Sequence, residues 1–295
     1  LATANPAIVW RGEPMREERL PPLVPRGWVL LRVEYARWCP LDSLAAAGAM
    51  PLENGTVLGC SGVGIVLEAG VDADTGLAGR RVAPARLSAD HLPPFTGDGF
   101  LAAYTAAPSS VLAEVQGPDP IYTFLPEASL ACEAAREAMD SHRVLIAGAG
   151  PFGLLAALAI WEEGGHVLVY AGRREAREAA RSLGLEAVEK PQSRVDTVVA
   201  ATASLYTLEK LIEATVPGKL LLHPLYTQQA WPGCRRCRRL EAVVLEGGAP
   251  GCARRLLEKA RRLIESNIGV VEGLEPPPLA GGPLLGYVYR LGREA

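Results

Sequence analysis

The sequence predicts an α/β protein in two parts: a β-rich amino-terminal third, then a doubly wound parallel sheet with helices on both faces. Three observations carry this expectation. Val29, Leu31, Val33 and Tyr35 alternate with Leu30, Arg32, Glu34 and Ala36, the period-two pattern of a strand with one buried face. From about Glu127 onward, strand-like and helix-like stretches alternate at the lengths a covered parallel sheet requires. The turn that opens this second part reads Gly148-Ala149-Gly150-Pro151-Phe152-Gly153, the spacing G-x-G-x-x-G between a strand and a helix.

In the first part, further strands are expected over Gly62–Glu68 and Arg81–Ala83, with Pro21-Pro22, Asn54-Gly55, Pro93-Pro94 and Gly97-Asp98-Gly99 as turns. In the second, Glu127–Met139 reads as a helix, Val144–Ala147 as a strand, and Pro151–Glu163 as a helix closed by Gly164-Gly165. Strand His166–Tyr170, helix Arg174–Leu183, strand Thr197–Ala200, helix Leu205–Ala214 and strand Lys219–His223 follow. A strand near Ala242–Leu245, a helix Ala253–Ser266 and a β-like piece Gly286–Leu291 complete the chain.

Composition narrows the function classes. Hydrophobic residues at 49% and charged residues at 21% describe a soluble globular protein. A net charge of −3 provides no positive stripe for nucleic acid, and Arg235, Arg236, Arg238 and Arg239 read as one solvated loop. The uncharged run Val144–Trp161 contains Gly148, Gly150, Pro151 and Gly153, so it reads as strand, turn and helix rather than as a membrane span. Arg11, Glu13, Arg16, Glu17 and Glu18 break up any apolar amino-terminal segment, and a cytoplasmic location is expected. The six cysteines are too scattered for a small-domain disulfide framework.

The glycine turn has a physical reading. The first glycine permits the tight turn, the second lets backbone approach a pyrophosphate, and the third lets helix pack on strand, as in the Rossmann dinucleotide fold. Free N–H groups at the helix start then face the phosphates. Gly148, Gly150, Pro151, Phe152 and Gly153 are the expected cofactor contacts, and a methyltransferase with the same nucleotide fold is the competing reading. At the end of the second strand a carboxylate would select NAD, but Ala171 stands there, followed by Gly172, Arg173 and Arg174. Two guanidiniums without a competing acid suit the extra phosphate of NADP(H).

The order of motifs resembles the medium-chain dehydrogenase/reductase family, of the zinc-type alcohol dehydrogenase-like kind, along nearly the whole chain. Ala7-Ile8-Val9-Trp10 looks like its opening strand, and Val33 to Asp42 is similar to the segment ending C-G-[ST]-D. Leu58 to Gly64 is similar to L-G-H-E-x-x-G, and Gly79-Arg80-Arg81-Val82 to G-D-R-V. Gly99–Tyr104 matches a segment ending in tyrosine, with Ala103 where glutamate is usual. The resemblance implies a GroES-like catalytic domain over 1–124 and 268–295, a Rossmann domain over 125–267, and an active-site cleft between them. It also implies hydride transfer to or from a small-molecule alcohol, carbonyl or activated alkene, and a homodimer or homotetramer.

The resemblance places a catalytic zinc on Cys39, Cys60 and either Cys132 or Glu133, with Asp42 retained beside them. Three thiolates are an admissible ligand set, although extra thiolate charge weakens the metal as a Lewis acid. Cys60 replaces the family histidine, Ser61 a glutamate, and Leu41 the hydroxyl residue that relays a proton. No structural zinc is expected, since no cysteine lies between Cys60 and Cys132. Thiols without metal remain the alternative. Tyr104, Trp38 and Leu41 are candidate pocket walls, and Cys234-x-x-Cys237 reads as a local loop disulfide or two free thiols. Three functions stay open: an NADP(H)-dependent alcohol–carbonyl oxidoreductase, a zinc-free quinone or enoyl reductase, and a non-catalytic NADPH-binding sensor or scaffold.

Overall fold

A computed structural model describes residues 4–48, 51–191, 193–228, 234–278 and 282–292. The chain divides into two units, Leu1–Leu125 with Ile264–Ala295, and Pro126–Leu263.

The first unit opens with β1 (Asn5–Trp10) and β2 (Pro14–Arg19), an antiparallel pair. β2 reads Pro-Met-Arg-Glu-Glu-Arg and shows no apolar alternation, because it is half exposed and its neighbour supplies the buried side. β3 (Trp28–Trp38) is the long central strand, followed at once by the short helix α1 (Pro40–Ala46). β4 (Ser61–Ala69), β5 (Arg81–Pro84), β6 (Tyr104–Pro108) and β7 (Leu112–Glu114) continue the β-rich part. β3 pairs antiparallel with β4 and β6, and register shifts near Leu30 and Val33 mark bulges that bend the pair. Val29, Leu31, Val33, Trp38, Leu58, Phe100 and Leu101 form its core with Tyr289.

In the second unit, α2 (Leu125–Glu137) leads into β8 (Arg143–Ala147), α3 (Pro151–Glu162), β9 (His166–Tyr170), α4 (Arg174–Ser182) and β10 (Glu186–Val188). β11 (Thr197–Ala200), α5 (Leu205–Thr215), β12 (Lys219–Leu222), β13 (Glu241–Val244) and α6 (Pro250–Asn267) follow. The sheet runs β10-β9-β8-β11-β12-β13, all parallel, so strand order reverses at β8. That is the doubly wound order, and a ligand crevice is expected outside the carboxyl ends of β8 and β11. α3 is apolar all round because it is buried almost along its length. The chain then returns to the first unit through β14 (Gly269–Glu272) and β15 (Tyr287–Arg290), which joins β3.

The expected α/β class, with a GroES-like part and a Rossmann sheet, is what the structure contains. Among the described residues no helix is long and apolar enough to cross a membrane.

Candidate functional site: a glycine turn and a buried Cys-Asp-Arg cluster

The two candidate centres lie in different units. In the second, the three glycines divide their roles as the spacing predicts. Gly148 sits at φ +128°, and a Cβ there would lie 2.5 Å from the Ala201 carbonyl oxygen. A Cβ on Gly153 would lie 2.0 Å from the Gly148 oxygen, so only glycine lets α3 pack on this turn. Gly150 meets nothing within 4 Å, which leaves the approach to the helix start open. Gly150 is also the N-cap and brings no side-chain cap, while Pro151 takes the first helical position. The first-turn N–H groups of α3 therefore have no partner within the helix, the state of an anion-binding terminus. Phe152 packs edge-on against His223, whose Nδ1 accepts the Leu225 N–H at 3.1 Å. Burial holds His223 neutral, with its pKa pushed down to about 4.

At the end of β9, Ala171 is buried and no acid faces a ribose from that position. The two expected arginines behave differently. Arg174 is committed to Glu178 at 2.7 Å along α4. Arg173 is the exposed N-cap of α4 and makes no side-chain cap bond. A third arginine, unforeseen from sequence, organises this corner: Arg177 Nη1 donates to the carbonyls of Ala171 and Gly172, both at 2.7 Å. Its place one turn after Arg173 was the only available signal. Arg177 also pairs with Glu189 at 3.7 Å, so it fastens the end of β9 to the segment after β10.

In the first unit, β3 and β4 run antiparallel with Arg37 opposite Ser61, and the Cys60 N–H donates to the Arg37 carbonyl at 3.1 Å. This register brings the end of β3 to the start of β4, and so Cys39 to Cys60. Cys39 caps α1, and Asp42 closes the capping box by accepting the Cys39 N–H at 2.9 Å. The other Asp42 oxygen accepts the Gly59 N–H at 2.8 Å. One ligand atom each from Cys39, Asp42 and Cys60 lies within 4.8 Å of the others. Burial pushes the Cys39 thiol well above its ordinary value, helped by its hydrogen bond with Cys60 and by the charges of Cys60 and Asp42, while the charge of Arg37 pulls it back. Burial also raises the Asp42 carboxyl, while the N–H bonds from Cys39 and Gly59 and the charge of Arg37 pull it back.

Arg37 belongs to this group although sequence reasoning passed over it. Its side chain is fully buried, its Nη2 lies 3.4 Å from Cys60 Sγ, and its guanidinium stacks 4.1 Å from the Phe124 ring. The signal was present in the pattern: Arg37 continues the phase of Val29, Leu31 and Val33, the buried residues of β3.

Cys132 and Glu133 lie in the second unit and are engaged there, which corrects the expected ligand set at Cys132. Cys132 is bonded to Cys252, so its sulfur is no thiolate for a metal. The Glu133 carboxylate accepts the backbone N–H groups of Glu246 and Gly247 at 2.8 and 2.7 Å. Trp38 lies in the core of the first unit, with Nε1 donating to Ser43 at 2.7 Å. Cys234 and Cys237 form the local loop disulfide. Ser61 is buried, and its hydroxyl has no partner among the described residues.

A catalytic zinc is a poor fit to these residues. Such a site takes three protein ligands and keeps one open position. Here the expected third ligand is lost, both Asp42 oxygens already accept N–H bonds, and Cys60 already accepts a guanidinium. A zinc ion at about 2.3 Å from Cys60 Sγ would lie within roughly 6 Å of that guanidinium. The repulsion between the two cations there is on the order of 5 kcal/mol at an effective dielectric of about 20.

Comparisons with known proteins agree with the fold. Residues 25–117 match the alcohol dehydrogenase GroES-like domain. No curated protein sequence matches the chain. Among solved structures, the alcohol dehydrogenase TADH from Thermus sp. ATN1 aligns with a TM-score of 0.76 at 19% identity, covering 97% of this chain and 100% of that one. Acetophenone reductase from Geotrichum candidum NBRC 4597, in complex with NAD, aligns at 0.74 and 18%, with 98% of each chain covered. A cobalt- and zinc-bound thermostable alcohol dehydrogenase from Pyrobaculum aerophilum aligns at 0.68 and 19%, covering 97% of this chain and 99% of that one. The chain therefore has the fold of these alcohol dehydrogenases, and its residues 25–117 match their GroES-like domain.

Proposed function

We propose that the chain is an oxidoreductase that binds NADPH on the Gly148–Gly153 turn and reduces a small carbonyl, quinone or conjugated alkene without a metal. The observation that carries the cofactor is the division of labour among the glycines: two positions closed to any Cβ, one open before a helix start. The absence of an acid at Ala171, beside exposed Arg173, supports NADPH over NADH. When bound, the nicotinamide supplies the hydride. The chain's own part is to hold the pyrophosphate on the first turn of α3 and the ribose phosphate beside Arg173. The reading without metal rests on Cys132 and Glu133 being engaged elsewhere. Fold similarity to alcohol dehydrogenases and a ketone reductase supports the substrate class.

A second reading, a non-catalytic NADPH-binding protein, is favoured by the burial of Arg37, Cys39, Asp42 and Ser61, none of which is exposed to hand over a proton. One experiment separates the two. Loss of NADPH absorbance is followed with a panel of ketones, aldehydes, quinones and enones, before and after treatment with a strong chelator. Turnover on any of them, unchanged by the chelator, supports the reductase. Tight NADPH binding with no turnover supports the sensor, and failure to bind either dinucleotide removes both readings.

A further inference from the structure

Arg37 does something in this cluster that a structural arginine has no reason to do. Burying a guanidinium is costly unless other groups close its charge and fill its surroundings. β3 nevertheless delivers Arg37 to the same end of the sheet as the two free thiols, Cys39 and Cys60. There the guanidinium is held between the Phe124 face, at 4.1 Å, and Cys60 Sγ, at 3.4 Å. The charge of Asp42 acts on it from α1, whose carboxylate is itself fixed by the N–H groups of Cys39 and Gly59. The cluster thus brings together one permanent cation, one carboxylate and two thiols, with Arg37 and Asp42 fully buried and Cys60 at the edge.

We propose that Arg37 is a built-in cation that takes the electrostatic place of a divalent metal, so that Cys39, Asp42 and Cys60 form a metal-excluding cluster. A guanidinium cannot be lost to a chelator or deprotonated in a protein, so the site carries its charge permanently. A cation entering between the sulfurs meets this fixed charge in a medium that screens it weakly. The inference does not depend on whether the chain reduces a carbonyl.

The test is cobalt binding to the full chain, with the Cys132–Cys252 and Cys234–Cys237 bonds left oxidised so that Cys39 and Cys60 are the free thiols. After incubation with Co(II) and gel filtration, metal is counted by elemental analysis and thiolate–cobalt absorption is recorded. The wild type is expected to retain a small fraction of one equivalent, without the thiolate band. Arg37→Ala is expected to retain about one equivalent with the band, and adding Cys60→Ser should abolish it. If Arg37→Ala does not fold by circular dichroism, Arg37→Met removes the charge while keeping bulk, and the same comparison is read. A wild type that retains one equivalent, lost in Cys39→Ser, overturns the proposal. So does a folded Arg37 variant that still excludes cobalt.

Discussion

Asp42 Oδ1 accepts the backbone N–H of Gly59 at 2.8 Å, across 17 positions of sequence, while its other oxygen caps α1 through Cys39. One carboxylate thus fastens the end of β3 to the loop before β4, at a place where a Cβ on Gly59 would meet Leu101 backbone at 2.7 Å. Asp42→Ala strands two buried N–H donors and removes a negative charge that faces Arg37. The expected loss is about 3 kcal/mol or more of stability, read by urea unfolding. Asp42→Asn keeps one acceptor oxygen and should recover part of it. An alanine variant as stable as the wild type would mean that water or a neighbour satisfies both donors.

The arginines after β9 should separate in a binding experiment. Arg174 spends its charge on Glu178, whereas Arg173 has no cap bond. Arg173→Ala should weaken NADPH binding roughly tenfold or more, the loss of one charged hydrogen bond, with little change for NADH. Arg174→Ala should change either affinity by only about twofold, as expected of an exposed ion pair. Ala171→Asp should turn the preference toward NADH. Nicotinamide fluorescence titrations measure all three, and equal losses in the two arginine variants would sink the distinction.

Cys132 and Cys252 are joined across a separation of 120 residues, tying α2 to α6. A loop of that length removes much conformational freedom from the unfolded chain, worth about 5 kcal/mol in the chain-entropy account. The double variant Cys132→Ser/Cys252→Ser should therefore melt lower, and reductant should lower the wild type by a similar amount without affecting the variant. A reductant effect of equal size in both would assign it to Cys234–Cys237 instead.

Two buried histidines set an acid limit. Burial holds His91, edge-on to Trp28, and His223 near pKa 4, against an ordinary value of 6.5. The unfolded chain binds these protons first, so the stabilisation is complete above about pH 6.5 and is lost as pH falls toward 4. Each histidine accounts for about 3 kcal/mol at the acid end of that window. His91→Gln should flatten the pH dependence of the melting temperature between pH 7 and 4.5, and an unchanged slope would show that His91 is not the group that titrates.

Sequence alone determined the central strands of the second unit almost to the residue. His166–Tyr170 and Thr197–Ala200 match β9 and β11, and the glycine turn was legible because each glycine answers a local steric demand. β2, β7 and β10 were not legible: they are short or polar, and it is their partners that make them strands. The cluster was half legible. Cys39, Asp42 and Cys60 follow from motif order, and their approach follows from one antiparallel pairing. Only the tertiary structure decided where charge and sulfur are spent. Whether Cys132 meets Cys252, whether Glu133 is taken by the Glu246–Gly247 backbone, and whether Arg37 turns inward to Cys60 depend on contacts between distant segments. Local propensity does not encode such contacts, because their energy comes from burial and from partners that the chain brings together only on folding.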